Sequence, residues 1–212
     1  QSRLELDAAQ LKKMVVRYPY LLLKSVEKME SRLDWLQRRL GLDDAGLRKM
    51  VVTLPTLLTL SVEDNMEPKL EWLQKRLDLD EVQLRKVVGG CTSVLSTSID
   101  ILESKLDWLQ TRLDLDDVQL RKVMGRTSVL STSIDILESK LDWLQSRLDL
   151  DAAQLKKVVV ALPPLLSLSI EDNLAPKLEW LQMRLDLDGK QLRKVARHVS
   201  VLSTSIDILE SK

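Results

Sequence analysis

The chain has 212 residues, 44% hydrophobic and 30% charged, with 32 acidic and 32 basic side chains. This excludes a disordered polyelectrolyte and a surface that is basic all over, although a basic stripe on one face remains compatible with it. No apolar run nears the ~18 residues of a membrane span, which excludes a transmembrane helix.

Aromatic residues are scarce and Phe is absent, so Leu and Val must build the core. The lone Cys91 has no cysteine to pair with, which points to a reducing compartment. The first residues show no signal- or transit-peptide pattern. Because they lie inside a repeat, this says nothing about what precedes them.

In chain order, the first predicted element begins at Asp7. Asp7 can cap a helix, and Gln10 stands three residues on, as a capping box requires. Leu6 and Leu11 are placed as a hydrophobic staple. The helix should run about ten residues and stop at Pro19. A connector of the form P-x-L-L-x-x-S follows, short enough for one 3₁₀ turn. Ser25 then caps a second helix, in which Val26, Met29, Leu33, Leu36 and Leu40 step by three and four into one apolar stripe.

The same order returns from Asp43, Asp80, Asp116, Asp151 and Asp188. Ser61, Ser98, Ser133, Ser169 and Ser205 are the equivalent caps, and Leu22, Leu58, Leu95, Leu130, Leu166 and Leu202 form the invariant connector core. Trp35, Trp72, Trp108, Trp143 and Trp180 all sit in L-[DE]-W-L-Q, at spacings of 37, 36, 35 and 37.

A fixed period of about 36 residues marks a solenoid. Residues 1–212 therefore read as a single repeat array and an all-α fold. It is a right- or left-handed α-solenoid whose units each hold two α-helices and a short 3₁₀ connector. TSVLSTSIDILESKLDWLQ occurs identically at 92–110 and 127–145, and SVLSTSIDILESK recurs at 200–212. Both termini fall within a unit, which predicts that this chain is a segment of a longer array. The units form two classes. Pro19, Pro55 and Pro163 give way to Thr92, Thr127 and Val199, and the Val16, Val52 and Val160 positions to Gly89, Gly125 and Arg197. The second class should follow a different path with looser helix ends, since Gly costs ~1 kcal/mol in a helix.

The connector motif with its flanking helices resembles the mTERF family, the mitochondrial transcription termination factors. The best-matching stretches are RYPYLLLKSVEKMESRLDWLQRRLGLD (17–43), VVTLPTLLTLSVEDNMEPKLEWLQKRLDLD (51–80) and VVVALPPLLSLSIEDNLAPKLEWLQMRLDLD (158–188). The resemblance implies a superhelix of two-helix units with a 3₁₀ turn. It also implies binding of double-stranded DNA or structured RNA along a basic surface. The cellular setting it implies is transcription termination, transcription regulation or RNA processing in a mitochondrion or chloroplast.

Two basic columns are candidates for that surface. One is Lys13, Lys49, Lys86, Lys122, Lys157 and Lys194, each the second member of a basic pair on the first helix. The other is Arg39, Arg76, Arg112, Arg147 and Arg184 at the end of the second helix. Stacked units would align each column into a rail that attracts phosphates without reading sequence. The competing structural reading is a solvated face, with the arginines complementing the helix dipole and Asp34–Arg38 as an i,i+4 pair. The tryptophans flank the apolar stripe and are expected to pack between units. Tyr18 and Tyr20 belong to one variant connector.

His198 has no second histidine and Cys91 is far from it in sequence, so no metal site is expected, and no cofactor. There is no phosphate loop, nucleophile elbow or H-E-x-x-H. We expect no enzyme, no small-molecule substrate and no membrane partner. The alternative to nucleic-acid binding is an α-solenoid scaffold that holds a protein partner, which charge neutrality favours.

Overall fold

In a computed structural model of the chain, residues 4–125, 127–196, 204 and 208 are described. The expectations for Arg197, His198, Val199, Leu202 and Ser205 lie outside the described residues. Among those described there are eleven α-helices and no strand. The chain packs as two compact units, Gln1–Leu102 and Glu103–Lys212.

The first helices of the repeats are α1 (Ala8–Arg17), α3 (Asp44–Thr53), α5 (Glu81–Gly90), α7 (Asp117–Met124), α9 (Ala152–Ala161) and α11 (Gly189–Ala196). The second helices are α2 (Val26–Leu40), α4 (Glu67–Leu77), α6 (Ile99–Leu113), α8 (Ile134–Leu148) and α10 (Ala175–Arg184). Connectors of 3₁₀ helix lie between them at Pro19–Leu23, Pro55–Leu58, Thr92–Ser96, Val129–Ser131 and Pro163–Ser167.

The caps stand where the residues placed them. Asp7, Asp80, Asp116 and Asp151 each close a capping box with the Gln three residues on, and Asp188 exchanges the same two bonds with Gln191. Asp43 caps without a box, because Gly46 occupies the glutamine position. Ser25, Ser61, Ser133 and Ser169 accept backbone N–H groups at the second helices. Each such cap stabilises its helix by about 1 kcal/mol.

The second helices stop on a residue in the left-handed region: Gly41 at φ 53°, and Asp78, Asp114, Asp149 and Asp186 at 48–50°. The next residue, a leucine in every repeat, donates its N–H back to the carbonyl of the Gln of L-Q, as in Leu42→Gln37 and Leu79→Gln74. This is the Schellman closure, and only the first of these repeats uses the glycine that fits it without strain. Asp186→Gly should therefore raise stability by about 0.5–1 kcal/mol, because a Cβ is disfavoured at positive φ. Urea denaturation checks this, and an unchanged midpoint would mean that the aspartate is unstrained there.

Leucines make the core of each unit. Leu36, Leu70, Leu73, Leu102, Leu106, Leu141 and Leu178 are at most 1% exposed. The connector leucines Leu58, Leu95, Leu130 and Leu166 are buried, but Leu22 is 72% exposed and Val26 67%. Those two expected core positions are therefore on the surface in the first repeat.

The two-class expectation fails in the third repeat. Its helix α5 has ten residues, as in the proline repeats, and its cap Cys91 adopts φ −142°, ψ 70° against −134°, 78° at Leu54. Buried Thr92, Val94 and Leu95 hold the connector on the path that Pro55 sets in the second repeat. The fourth repeat does differ. It is shorter, its first helix α7 has eight residues, and its 3₁₀ connector has three.

The second and fifth repeats carry one more residue between the Ser cap and the Trp than the others (Ser61 to Trp72, Ser169 to Trp180). The extra residue is absorbed in single π turns, Val62–Met66 and Ile170–Leu174. There Met66 N–H reaches Ser61 O and Leu174 N–H reaches Ser169 O, five residues back. The other repeats close the same turn over four, as Leu102 does to Ser98. Pro68 and Pro176 follow two residues after these turns. They can give no N–H to the helix ladder, and the widened turn accommodates them.

Candidate nucleic-acid interface

The two basic columns occupy different environments. Lys13, Lys49, Lys86, Lys122, Lys157 and Lys194 are all exposed. Their side chains have no ion pair or hydrogen bond among the described residues. They stand on the outer side of the first helices because Leu47, Leu84, Leu120 and Leu155, two positions earlier in four of the repeats, point into the core.

The arginine column is half-buried as far as Arg147, and its guanidinium groups are largely occupied. Arg39 donates to Glu67 Oε1 at 2.9 Å, to Glu81 Oε2 at 2.9 Å and to Gln74 Oε1 at 2.8 Å. Burial opposes the charge of Arg39, but its bonds to Glu67 and Glu81 and their negative charges raise its pKa above the ordinary value. Arg112 donates to Glu138 at 2.5 Å and to Asp142 at 2.8 Å, and Arg147 to Gln182 at 3.0 Å. Arg76 is half-buried and also engaged. Arg184 is exposed. Arg39 and Arg112 therefore bracket one repeat to the next, a role that the helix-dipole reading did not include. Arg38 also sends Nε to the Asp34 backbone carbonyl at 3.2 Å.

Three first members of the basic pairs, Arg48, Arg85 and Lys156, are also in use. Arg48 pairs with Glu5, Lys156 with Asp114, and the Arg85 guanidinium lies against Gly41, where a Cβ would collide with it. In each case a cation rests on the left-handed residue that precedes the first helix one repeat earlier; Gly41 and Asp114 also lie at the carbonyl ends of α2 and α6.

A third basic column was missed in the sequence: Arg32, Lys69, Lys105, Lys140 and Lys177, each just before L-[DE]-W. Arg32, Lys69, Lys105 and Lys140 reach across to the next connector. Arg32 Nε donates to Leu60 O at 2.7 Å, Lys69 Nζ to Leu95 O at 2.9 Å, Lys105 Nζ to Leu130 O at 2.7 Å and Lys140 Nζ to Leu166 O at 2.8 Å. Lys69, Lys140 and Lys177 are buried. Desolvation pushes the pKa of all three below the ordinary lysine value, opposed at Lys140 by the charge of Glu171. The signal was available: Lys105 lies three residues after Leu102 and four before Leu109, inside the apolar stripe.

The five tryptophans are half-buried. Trp108 donates its indole N–H to Glu138 Oε2 of the following repeat at 3.1 Å, which makes it a joint between repeats. Tyr20 is 74% exposed, and Arg17 lies 5.6 Å from the Tyr18 ring centre. Among the described residues, no group of three or more His, Cys, Asp and Glu could hold a metal ion. No described helix is long and apolar enough to cross a membrane.

No curated protein matches the chain. The mTERF family model matches residues 1–135, spanning the Pro-bearing connectors of the first two repeats and the Thr-bearing ones of the third and fourth. With more than half of its length matched and each of the first five repeats built as two helices around a 3₁₀ turn, the chain belongs to the mTERF family of helical-repeat solenoid proteins.

Proposed function

We propose that this chain binds nucleic acid, double-stranded DNA or structured RNA, through the exposed lysine column of its first helices. The observation that carries this reading is the split between the columns. The lysines are exposed and unpaired, while Arg39 and Arg112 are held by carboxylates and Arg147 by Gln182. An unpaired, solvated ammonium can release a phosphate counterion, whereas a guanidinium already bound to carboxylates would first have to break those bonds.

Such contacts position a backbone without reading bases. The role is one of binding rather than catalysis. Family membership supports an organellar setting, mitochondrion or chloroplast, in transcription regulation, termination or RNA processing.

The test is fluorescence anisotropy against random duplex DNA, a single strand and a structured RNA, at ~50 and ~200 mM salt. Changing all six column lysines to Gln should flatten the slope of log K against log salt by up to about five, from a slope of about −0.9 per phosphate contact on a duplex. Arg112→Gln should lower stability and leave the slope unchanged. Absence of binding at low salt would sink the proposal and leave the neutral-charge reading, a scaffold for a protein partner.

A further inference from the structure

Within both units, the second helix of one repeat covers the connector of the next. Helix α2 packs on Pro55–Leu58, α4 on Thr92–Ser96 and α8 on Pro163–Ser167. Specific bonds fix the cover. Lys69, Lys105 and Lys140 donate to the carbonyls of Leu95, Leu130 and Leu166. Arg39 donates to Glu67, and Arg112 and the Trp108 indole N–H both donate to Glu138. Lys105, Trp108 and Arg112 stand at i, i+3 and i+7, which is one face of α6.

The first repeat holds the accepting half of this interface open. Its connector leucine, Leu22, is exposed where Leu95, Leu130 and Leu166 are buried. Val26 is exposed where Val62, Ile134 and Ile170 are half-buried. Both belong to an apolar cavity of about 200 Å³, with Leu6, Met14, Leu21, Met29 and Leu33 behind them. A cavity of ~150 Å³ already admits benzene, so this one admits a leucine or an aromatic side chain. Glu30 also lines it. Glu30 stands five residues before Trp35, as Glu67 and Glu138 stand before Trp72 and Trp143. Tyr20 and Leu23, both exposed, widen the apolar surface. The next three repeats carry Thr56 and Thr59, Ser93 and Ser96, and Ser128 and Ser131 at those positions.

We infer that this face of the first repeat is a docking site for an amphipathic α-helix of another protein, one with a Lys, a Trp and an Arg at i, i+3 and i+7 beside its apolar stripe. The Leu22 carbonyl would take the lysine, Glu30 the indole and the arginine, and the cavity an apolar side chain. A second copy of this chain does not offer such a helix in α2, α4, α6 or α8, because Arg32, Lys69, Lys105 and Lys140 already hold connectors of their own. Lys177 of α10 is itself buried.

The probe is a labelled peptide of residues 98–114, stapled on its outer face to hold it helical, titrated with the whole chain by fluorescence anisotropy. The parent should bind it saturably. Leu22→Asp with Val26→Asp should weaken binding at least about tenfold, because docking would bury two carboxylates. Thermal unfolding of that variant should match the parent, since both positions are exposed. Glu30→Gln in the chain and Arg112→Gln in the peptide should each weaken binding about tenfold, and the two together little more than either alone. No saturable binding, or binding indifferent to Leu22→Asp with Val26→Asp, would overturn the inference. So would sedimentation in which the parent self-associates and the Leu22/Val26 variant does not, since the occupant would then be a second copy.

Discussion

Deleting Asn65 should lower stability by about 3 kcal/mol, and adding Pro68→Ser to the deletion should recover most of it. Ser61 and Trp72 are one residue farther apart than Ser98 and Trp108, and the π turn Val62–Met66 takes up the difference. The deletion returns the turn to α spacing, with Ser61 as cap and the leucine stripe back in the register of α6. Pro68 would then fall at the sixth helical position, where its ring meets the carbonyl four residues back and its missing N–H breaks the ladder.

Ser104 holds that position in the third repeat, inside an unbroken α6. Asn65 also accepts from Lys69 Nζ at 2.9 Å, but Lys105 and Lys140 bond their connector carbonyls with no asparagine four residues before them. That loss should therefore be small. Urea unfolding of parent, deletion and double variant decides the matter. If Pro68→Ser recovers nothing, the insertion does not serve the proline.

These features differ in how far they could be seen in the residues. Asp7–Gln10, the serine caps and the three-four stepping of Leu102, Leu106, Leu109 and Leu113 are local, so a few neighbouring letters suffice. The extra residue was visible as Trp spacings of 37 against 36, but one inserted residue in a helix can emerge as a longer loop, a bulge or a shifted start. Only the backbone bonds of Met66 and Leu174 show which it is.

The arginine and lysine columns looked alike because both recur once per repeat. What separates them is the partner. Glu67, Glu81 and Gln74 lie 28 to 42 residues from Arg39, and pairing over that range depends on how successive repeats stack. The same distance hid the Lys140–Leu166 bond, although the position of Lys140 within an apolar stripe was a local anomaly that called for an acceptor.

Lys140→Met should lower stability by about 2 kcal/mol, the range for a hydrogen bond to a charged group. Lys140 is 6% exposed and its ammonium lies 2.8 Å from the Leu166 carbonyl. Methionine fills the stem volume but leaves that acceptor without its side-chain donor, and the fourth and fifth repeats lose a tie between helix and connector.

The pH dependence distinguishes this from simple packing loss. Burial depresses the folded-state pKa of Lys140 below the ordinary lysine value. Below that folded pKa the desolvation penalty is fully present. As pH rises through it toward ~10.5, the folded chain gives up a proton that the unfolded chain still holds, so parent stability rises. The methionine variant lacks this slope, and its deficit in urea unfolding should therefore be larger near pH ~10 than at pH ~8. A deficit that shrinks over the same window would mean that Glu171 stabilises the folded lysine as a cation, so that the pair is an ion pair first and a carbonyl clamp second.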